Sequence, residues 1–238
     1  MPRIFFNGPA GRIEGTCSES INRNAPLALV LHSHPSFGGS MNNRVVHNMH
    51  TTLFKEGYTV LSINFRGVGK SMGQYDHGIG EMTDAATALD WLQTNYSSNS
   101  SNLIAGFSFG AWIAMQLIMR RPEINNFIAV SPPVNKYDFS FLSPCPIPGL
   151  ILQGDQDSIV SEEAVLDLAH RLSKQQHIKV DYKMINGADH FFRNKIEDLN
   201  SVMSDYLQTK VLQQKFVQSN IDDISETIVE NSKQKVYL

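Results

Sequence analysis

The sequence predicts an α/β fold: a central, mostly parallel sheet of about eight strands with helices on both faces. Three observations carry this. Short apolar runs alternate with helix-length segments after a β-rich start, the order expected of parallel strands joined by crossover helices. Runs such as Leu27-Ala28-Leu29-Val30-Leu31 are apolar throughout rather than alternating, as strands covered on both faces are. The chain has 238 residues, a length that suits one α/β domain with a sizeable core.

The elements follow in order. Ile4–Phe6 and Arg12–Cys17 read as two short strands joined by the turn signal Gly8-Pro9-Ala10-Gly11. Leu27–Leu31 is the first fully apolar strand. A helix is expected over Asn42–Lys55, closing at Gly57, and a strand over Tyr58–Ile63. A glycine-rich loop from Arg66 to Gly80 leads to a helix from about Glu81 to Gln93. Asn102-Leu103-Ile104-Ala105 reads as a buried strand, and Ala111–Met119 as an apolar helix ending before Pro122. Strands at Phe127–Val130 and Gly149–Gln153 follow, then a helix over Glu162–Ser173, a strand over His177–Ile185 and a helix over Phe191–Leu207. This gives a domain over residues 1–208 and an extension over 209–238. In the extension, Val211, Leu212, Phe216, Ile221, Ile224 and Ile228 recur at near-helical spacing. Such a stripe says only that something is buried, either by folding back on the domain or by self-association into a homodimer.

Bulk properties exclude several function classes. A formal net charge of -3 gives no electrostatic case for nucleic acid or an anionic membrane. No apolar run approaches the length of a membrane span, and the first residues are too short in apolar character for a signal peptide. The two cysteines, Cys17 and Cys145, stand far apart. A reducing, cytoplasmic setting is the expectation.

Gly106-Phe107-Ser108-Phe109-Gly110 carries the chemistry. Its G-x-S-x-G pattern between a strand and a helix is the setting of a nucleophile elbow, where a sharp turn exposes a serine hydroxyl. Glycine and serine also fill ordinary turns, so partners must be found. A serine needs a base to take its proton. Of eight histidines, His190 lies in the loop after the last strand, at the carboxyl end where parallel sheets place their sites. The acid is expected between serine and histidine in the chain. Asp157, deep in the loop Gly154-Asp155-Gln156-Asp157 and followed by Ile159-Val160, is preferred. Asp155 suits the turn itself, and Asp189 is a third candidate. An oxyanion hole needs two backbone N–H groups. Phe109, after the serine, supplies one. His34, just past the strand Leu27–Leu31, is chosen for the other, because Pro35 has no N–H to give.

Phe37, Gly38, Gly39 and Phe107 are expected substrate contacts, with a plain turn as the alternative reading of Gly38-Gly39. Tyr137, Phe139 and Phe141 suit either the wall of the site or the cover of the sheet. Arg66 suits a structural arginine pinning its loop through backbone carbonyls better than a substrate clamp. His32 and His34 invite a metal reading, but no third or fourth ligand accompanies them. No metal and no cofactor is expected.

Together the elbow, the loop His32–Met41, Asn64-Phe65-Arg66-Gly67-Val68-Gly69-Lys70-Ser71 and Gly187–Phe192 resemble the α/β-hydrolase superfamily. More narrowly, the chain resembles a bacterial group of small, lidless, esterase-like and dienelactone-hydrolase-like hydrolases. The resemblance covers about residues 2 to 208 and implies the α/β-hydrolase fold, with Ser108 as nucleophile, Asp157 as acid and His190 as base acting on a small acyl substrate. Serine rather than cysteine at the elbow argues against close kinship with the dienelactone hydrolases themselves. Two departures stand out: Ser33 where many relatives carry proline, and Asn64 where superfamily members often have aspartate. Hydrolases of this architecture often insert a lid between the strands ending at Val130 and beginning at Gly149. That segment is short here and holds five prolines, so no lid is expected. A small peptidase or thioesterase, or a non-catalytic binding protein on the same fold, are the rival readings.

Overall fold

The computed structural model describes residues 2–96, 101–174 and 178–209. Strands β1 (Arg3–Gly8) and β2 (Gly11–Ser18) form an antiparallel hairpin in which Phe6 faces Ile13 and Gly8 faces Gly11. Six parallel strands follow: β3 (Leu27–Leu31), β4 (Thr59–Ile63), β5 (Asn102–Phe107), β6 (Ile124–Val130), β7 (Gly149–Gly154) and β8 (Val180–Ile185). The spatial order is β1-β2-β4-β3-β5-β6-β7-β8, with β2 antiparallel to β4. This is the α/β-hydrolase fold.

Four helices separate the parallel strands: α1 (Arg44–Lys55), α2 (Ile79–Asn95), α3 (Phe109–Ile118) and α4 (Glu162–Ser173). A fifth, α5, runs over residues 196–209. The period of two along each strand splits the core. Leu27, Leu29 and Leu31 of β3 join the apolar faces of α2, α3 and α4, while Ala28 and Val30 join those of α1 and α5. Every residue of β3, β4 and β7 is buried, which is why β3 reads as an unbroken apolar run.

Strand order reverses at β3. The crossover from β3 leads to β4 on one side, and the chain then returns to place β5 on the other. The carboxyl ends of β3 and β5 therefore open a crevice at the point where α/β sheets bind ligands. The loop with His34 leaves one of these ends and Ser108 stands at the other.

Most predicted elements sit within two or three residues of the observed ones, and one differs more. The last helix starts at 196 rather than at Phe191. Phe192 adopts a left-handed φ of 51° that breaks a helix and sends its ring into the core beside α5. The final strand starts at Val180, and His177 lies outside the described residues. Between β6 and β7 the chain forms only a short 3-10 turn, Ser140–Leu142, so there is no lid. The expected helical stripe of the extension, and with it the homodimer alternative, falls on 210–238, outside the described residues. Among the described residues no helix is long and apolar enough to cross a membrane.

Candidate active site

Ser108 caps α3 with φ 54° and ψ -118°, a conformation that a side chain with a Cβ adopts only under strain. The strain is held from both sides. Ser108 N–H donates to Val130 O of β6 at 2.8 Å, and Ala111 N–H to Ser108 O at 2.8 Å. The two glycines of the box are steric necessities. A Cβ on Gly106 would collide with the Gly110 carbonyl, and one on Gly110 with the Leu31 and His32 carbonyls. Without side chains there, α3 passes directly over β3 and β5. Phe109 is the first residue of α3, so its N–H has no acceptor within the helix and faces the crevice end.

His190 and Asp157 meet. His190 Nδ1 and Asp157 Oδ2 lie 2.7 Å apart, with the carboxylate fully buried. The acid is held at both oxygens. Oδ1 accepts from the backbone N–H of Ile159 and of Val160, each at 2.8 Å. Oδ2 also accepts from Gln153 Nε2 at 3.0 Å. Burial alone would push the Asp157 carboxyl up. The bonds from His190, Val160 and Ile159 outweigh it and hold the group below the usual carboxylate range. With Nδ1–H given to Asp157, His190 presents Nε2 as its proton acceptor.

The acid and base loops are tied to each other. Gln156 N–H donates to Ala188 O at 3.0 Å, and Gly187 N–H to Asp155 Oδ1 at 2.6 Å. A Cβ on Gly154 would strike the Ala188 carbonyl. Asp155 thus serves the turn. Asp189 caps Arg193 N–H at 2.9 Å and pairs with the Arg193 guanidinium, so neither rival carboxylate is turned to His190.

The loop after β3 forms a 3-10 turn, Pro35–Phe37. It is capped by His34, whose Nδ1 accepts from Ser36 N–H at 3.1 Å. The His34 ring packs against Phe37, Tyr75 and Phe109. His32 is unavailable as a metal ligand. Its Nδ1 lies 2.6 Å from Ser33 O and its Nε2 accepts from Phe65 N–H at 3.0 Å. Burial pushes its pKa down to about 4, against the Ser33 bond, so the ring is neutral.

These pieces surround one cavity of about 310 Å³, lined by Ser33, His34, Phe37, Ser108, Phe109, Pro133, Lys136, Tyr137, Ile159, His190 and Phe191. Three expected substrate contacts do not line it. Phe107 is fully buried behind the base, its ring 5.2 Å from that of His190. Gly38 ends the 3-10 turn in a left-handed conformation, facing open space. Gly39 lies under the loop, where a Cβ would collide with Ser33 O. Phe139 is core, whereas Tyr137 is wall, stacked on Trp112 at 4.2 Å. Lys136, Pro133, Ile159 and Phe191 were not foreseen. All four lie just beyond carboxyl ends of strands, which is the signal that marks them.

Arg66 is structural, though its partner is a side chain rather than backbone carbonyls. Nε and Nη2 grip the two oxygens of Asp84 at 3.0 and 2.8 Å. Asn64 is structural too, accepting from Met41 N–H and donating to buried Glu14. Gln153 escaped sequence reasoning because it looks like the polar end of a strand. It is buried, and besides Asp157 it donates to Val160 O at 3.1 Å.

Comparison with known proteins agrees with this fold. Residues 21–223 match the X-Pro dipeptidyl-peptidase family, S15. An uncharacterized protein of Rickettsia prowazekii is 61% identical over 100% of both chains. The solved structure of a protein of unknown function from Agrobacterium tumefaciens, assigned to the alpha/beta hydrolases, is 47% identical. It superposes with a TM-score of 0.86, covering 89% of this chain and 97% of that one. A lidless alpha/beta serine hydrolase from Xanthomonas campestris is 30% identical with a TM-score of 0.77, covering 90% of this chain and 94% of that one.

Proposed function

The chain belongs to the X-Pro dipeptidyl-peptidase (S15) family and is a serine hydrolase of α/β fold; from that premise we propose that it cleaves a carboxylic ester or related acyl bond through Ser108, His190 and Asp157. The observation that carries this reading is the 2.7 Å bond from His190 to a buried carboxylate, on the wall of the cavity that also holds the strained Ser108.

Ser108 Oγ attacks the acyl carbon while its proton passes to His190 Nε2. Asp157 holds the ring in the Nδ1–H tautomer and stabilises the imidazolium. The oxyanion takes hydrogen bonds from the N–H groups of Phe109 and His34. Collapse breaks the bond to the leaving alcohol, which takes the proton from His190. A water molecule then attacks the acyl-enzyme, again giving its proton to His190, and Ser108 leaves with that proton. No metal or cofactor enters any step. Cys17 and Cys145 are buried thiols, which fits work in the reducing cytoplasm.

The test is hydrolysis of 4-nitrophenyl acetate by wild type and Ser108→Ala. The variant is expected to lose several powers of ten in kcat. Equal rates in both would sink the assignment. Peptide cleavage is a second reading, favoured by the description of the matching family, and Gly-Pro-4-nitroanilide assays it.

A further inference from the structure

The cavity at Ser108 carries a charge that acyl transfer does not use. Its titratable members are His34, Lys136, Tyr137 and His190. Burial lowers the His34 imidazole and pushes the Tyr137 phenol up to about 12, so both are neutral at pH 7. No carboxylate lines the cavity among the described residues. The buried carboxylates near it are engaged elsewhere. Asp157 takes four hydrogen bonds, and Glu81 accepts from Asp76 N–H and Gly78 N–H. Lys136 is therefore a cation at the site without a counter-charge of its own on the wall.

Its backbone is fixed. After β6, Val134 N–H donates to Pro132 O at 2.8 Å, and Lys136 and Tyr137 N–H donate to Pro133 O at 3.0 and 3.1 Å. The neighbouring Tyr137 ring is stacked on Trp112 of α3 at 4.2 Å. Lys136 thus lines the cavity from a braced turn, and the apolar part of the wall is made by Phe37, Phe109, Pro133, Ile159 and Phe191. A volume of about 310 Å³ suits a short acyl ester, at the small end of ligand pockets.

We propose that Lys136 is a specificity residue selecting small esters that bear a free carboxylate. This rests on the hydrolase reading above and names its substrate class. A carboxylate reaching Lys136 gains a charge-assisted hydrogen bond, whereas an N-terminal ammonium there meets like charge. The site then disfavours dipeptides with a free amino terminus. Lys136 is exposed, so screening by solvent keeps the effect moderate.

The experiment measures kcat/KM on two matched pairs: 4-acetoxybenzoate against its methyl ester, and monomethyl glutarate against methyl pentanoate. Gly-Pro-4-nitroanilide is the cationic control. In wild type the anionic member of at least one pair is expected to be favoured about five-fold or more, through KM, with the preference shrinking as salt rises. Lys136→Met abolishes the ratio and Lys136→Arg keeps it. An anion-to-neutral ratio that is the same in wild type and Lys136→Met overturns the proposal while the neutral esters still report the hydrolase. Faster cleavage of Gly-Pro-4-nitroanilide than of either anionic ester overturns it too. Failure of wild type on every ester overturns the hydrolase reading, and this proposal with it.

Discussion

Gln153 shows how far the site extends beyond the residues a motif names. It is the penultimate residue of β7, before the acid loop, and its amide nitrogen shares Asp157 Oδ2 with His190. It acts on the reaction only through the acid. Gln153→Met removes one hydrogen bond to a charged group, worth about 1.5–3 kcal/mol in stability, together with the bonds to Val160 O and Gly154 O. It loosens Oδ2 against His190, while Oδ1 stays held by the N–H groups of Ile159 and Val160. We expect kcat on 4-nitrophenyl acetate to fall about ten-fold with KM nearly constant. A merely structural role would lower the melting temperature and leave kcat per folded molecule unchanged, and that outcome would refute positioning. Chain order and loop position are one-dimensional facts, so the sequence could single out Ser108, His190 and Asp157 as candidates, and the structure sets two of them, His190 and Asp157, 2.7 Å apart. The neighbours of the cavity were not. Phe107 stands beside the serine in the chain, yet the alternation of β5 sends its ring to the opposite face, whereas Lys136 and Ile159 arrive from distant loops.

At the scale of elements, the elbow is a packing problem solved by two glycines. α3 is apolar almost all round and buried accordingly, and it crosses β3 at Gly110 with no room for a methyl group. Gly110→Ala forces the helix off the sheet. Overpacking of this kind costs about 1–3 kcal/mol, which in a chain of this size lowers the melting temperature by about 2–12 °C. Calorimetry checks it, and an unshifted transition would mean that α3 is free to move. β3 was readable because both-face burial leaves an unbroken apolar run. Helix starts were less so. α3 begins at Phe109, inside the motif, and α5 waits for residue 196, because φ values at Ser108 and Phe192 are set by tertiary packing rather than by local preference.

At the scale of the whole molecule, two histidines are folded in as neutral groups. His32 binds the backbone at Ser33, just after β3, and at Phe65, just after β4, and His50 of α1 bonds the hydroxyls of Ser62 and Ser18 at 2.7 and 2.9 Å. Burial pushes both pKa values down from 6.5 to about 4. A lowered histidine binds its proton more weakly in the folded state. Its contribution is thus complete above about pH 6.5 and lost as pH falls toward 4, by about 2 kcal/mol per group at pH 5. Urea unfolding at pH 7 and pH 5 should show this loss, and His50→Gln, remote from the cavity, should recover about half of it. An equal loss in wild type and variant would contradict the assignment to His50. The lidless sheet leaves Ser108 reachable through the mouth between the loops after β3, β6 and β8, and the whole account turns on that hydroxyl. The most direct measurement is intact mass and peptide mapping after a fluorophosphonate reagent is added to folded protein. One adduct is expected, on Ser108, absent from Ser108→Ala and suppressed in His190→Ala; no adduct on folded wild type, or equal labelling of Ser108→Ala, would rule out Ser108 as the nucleophile.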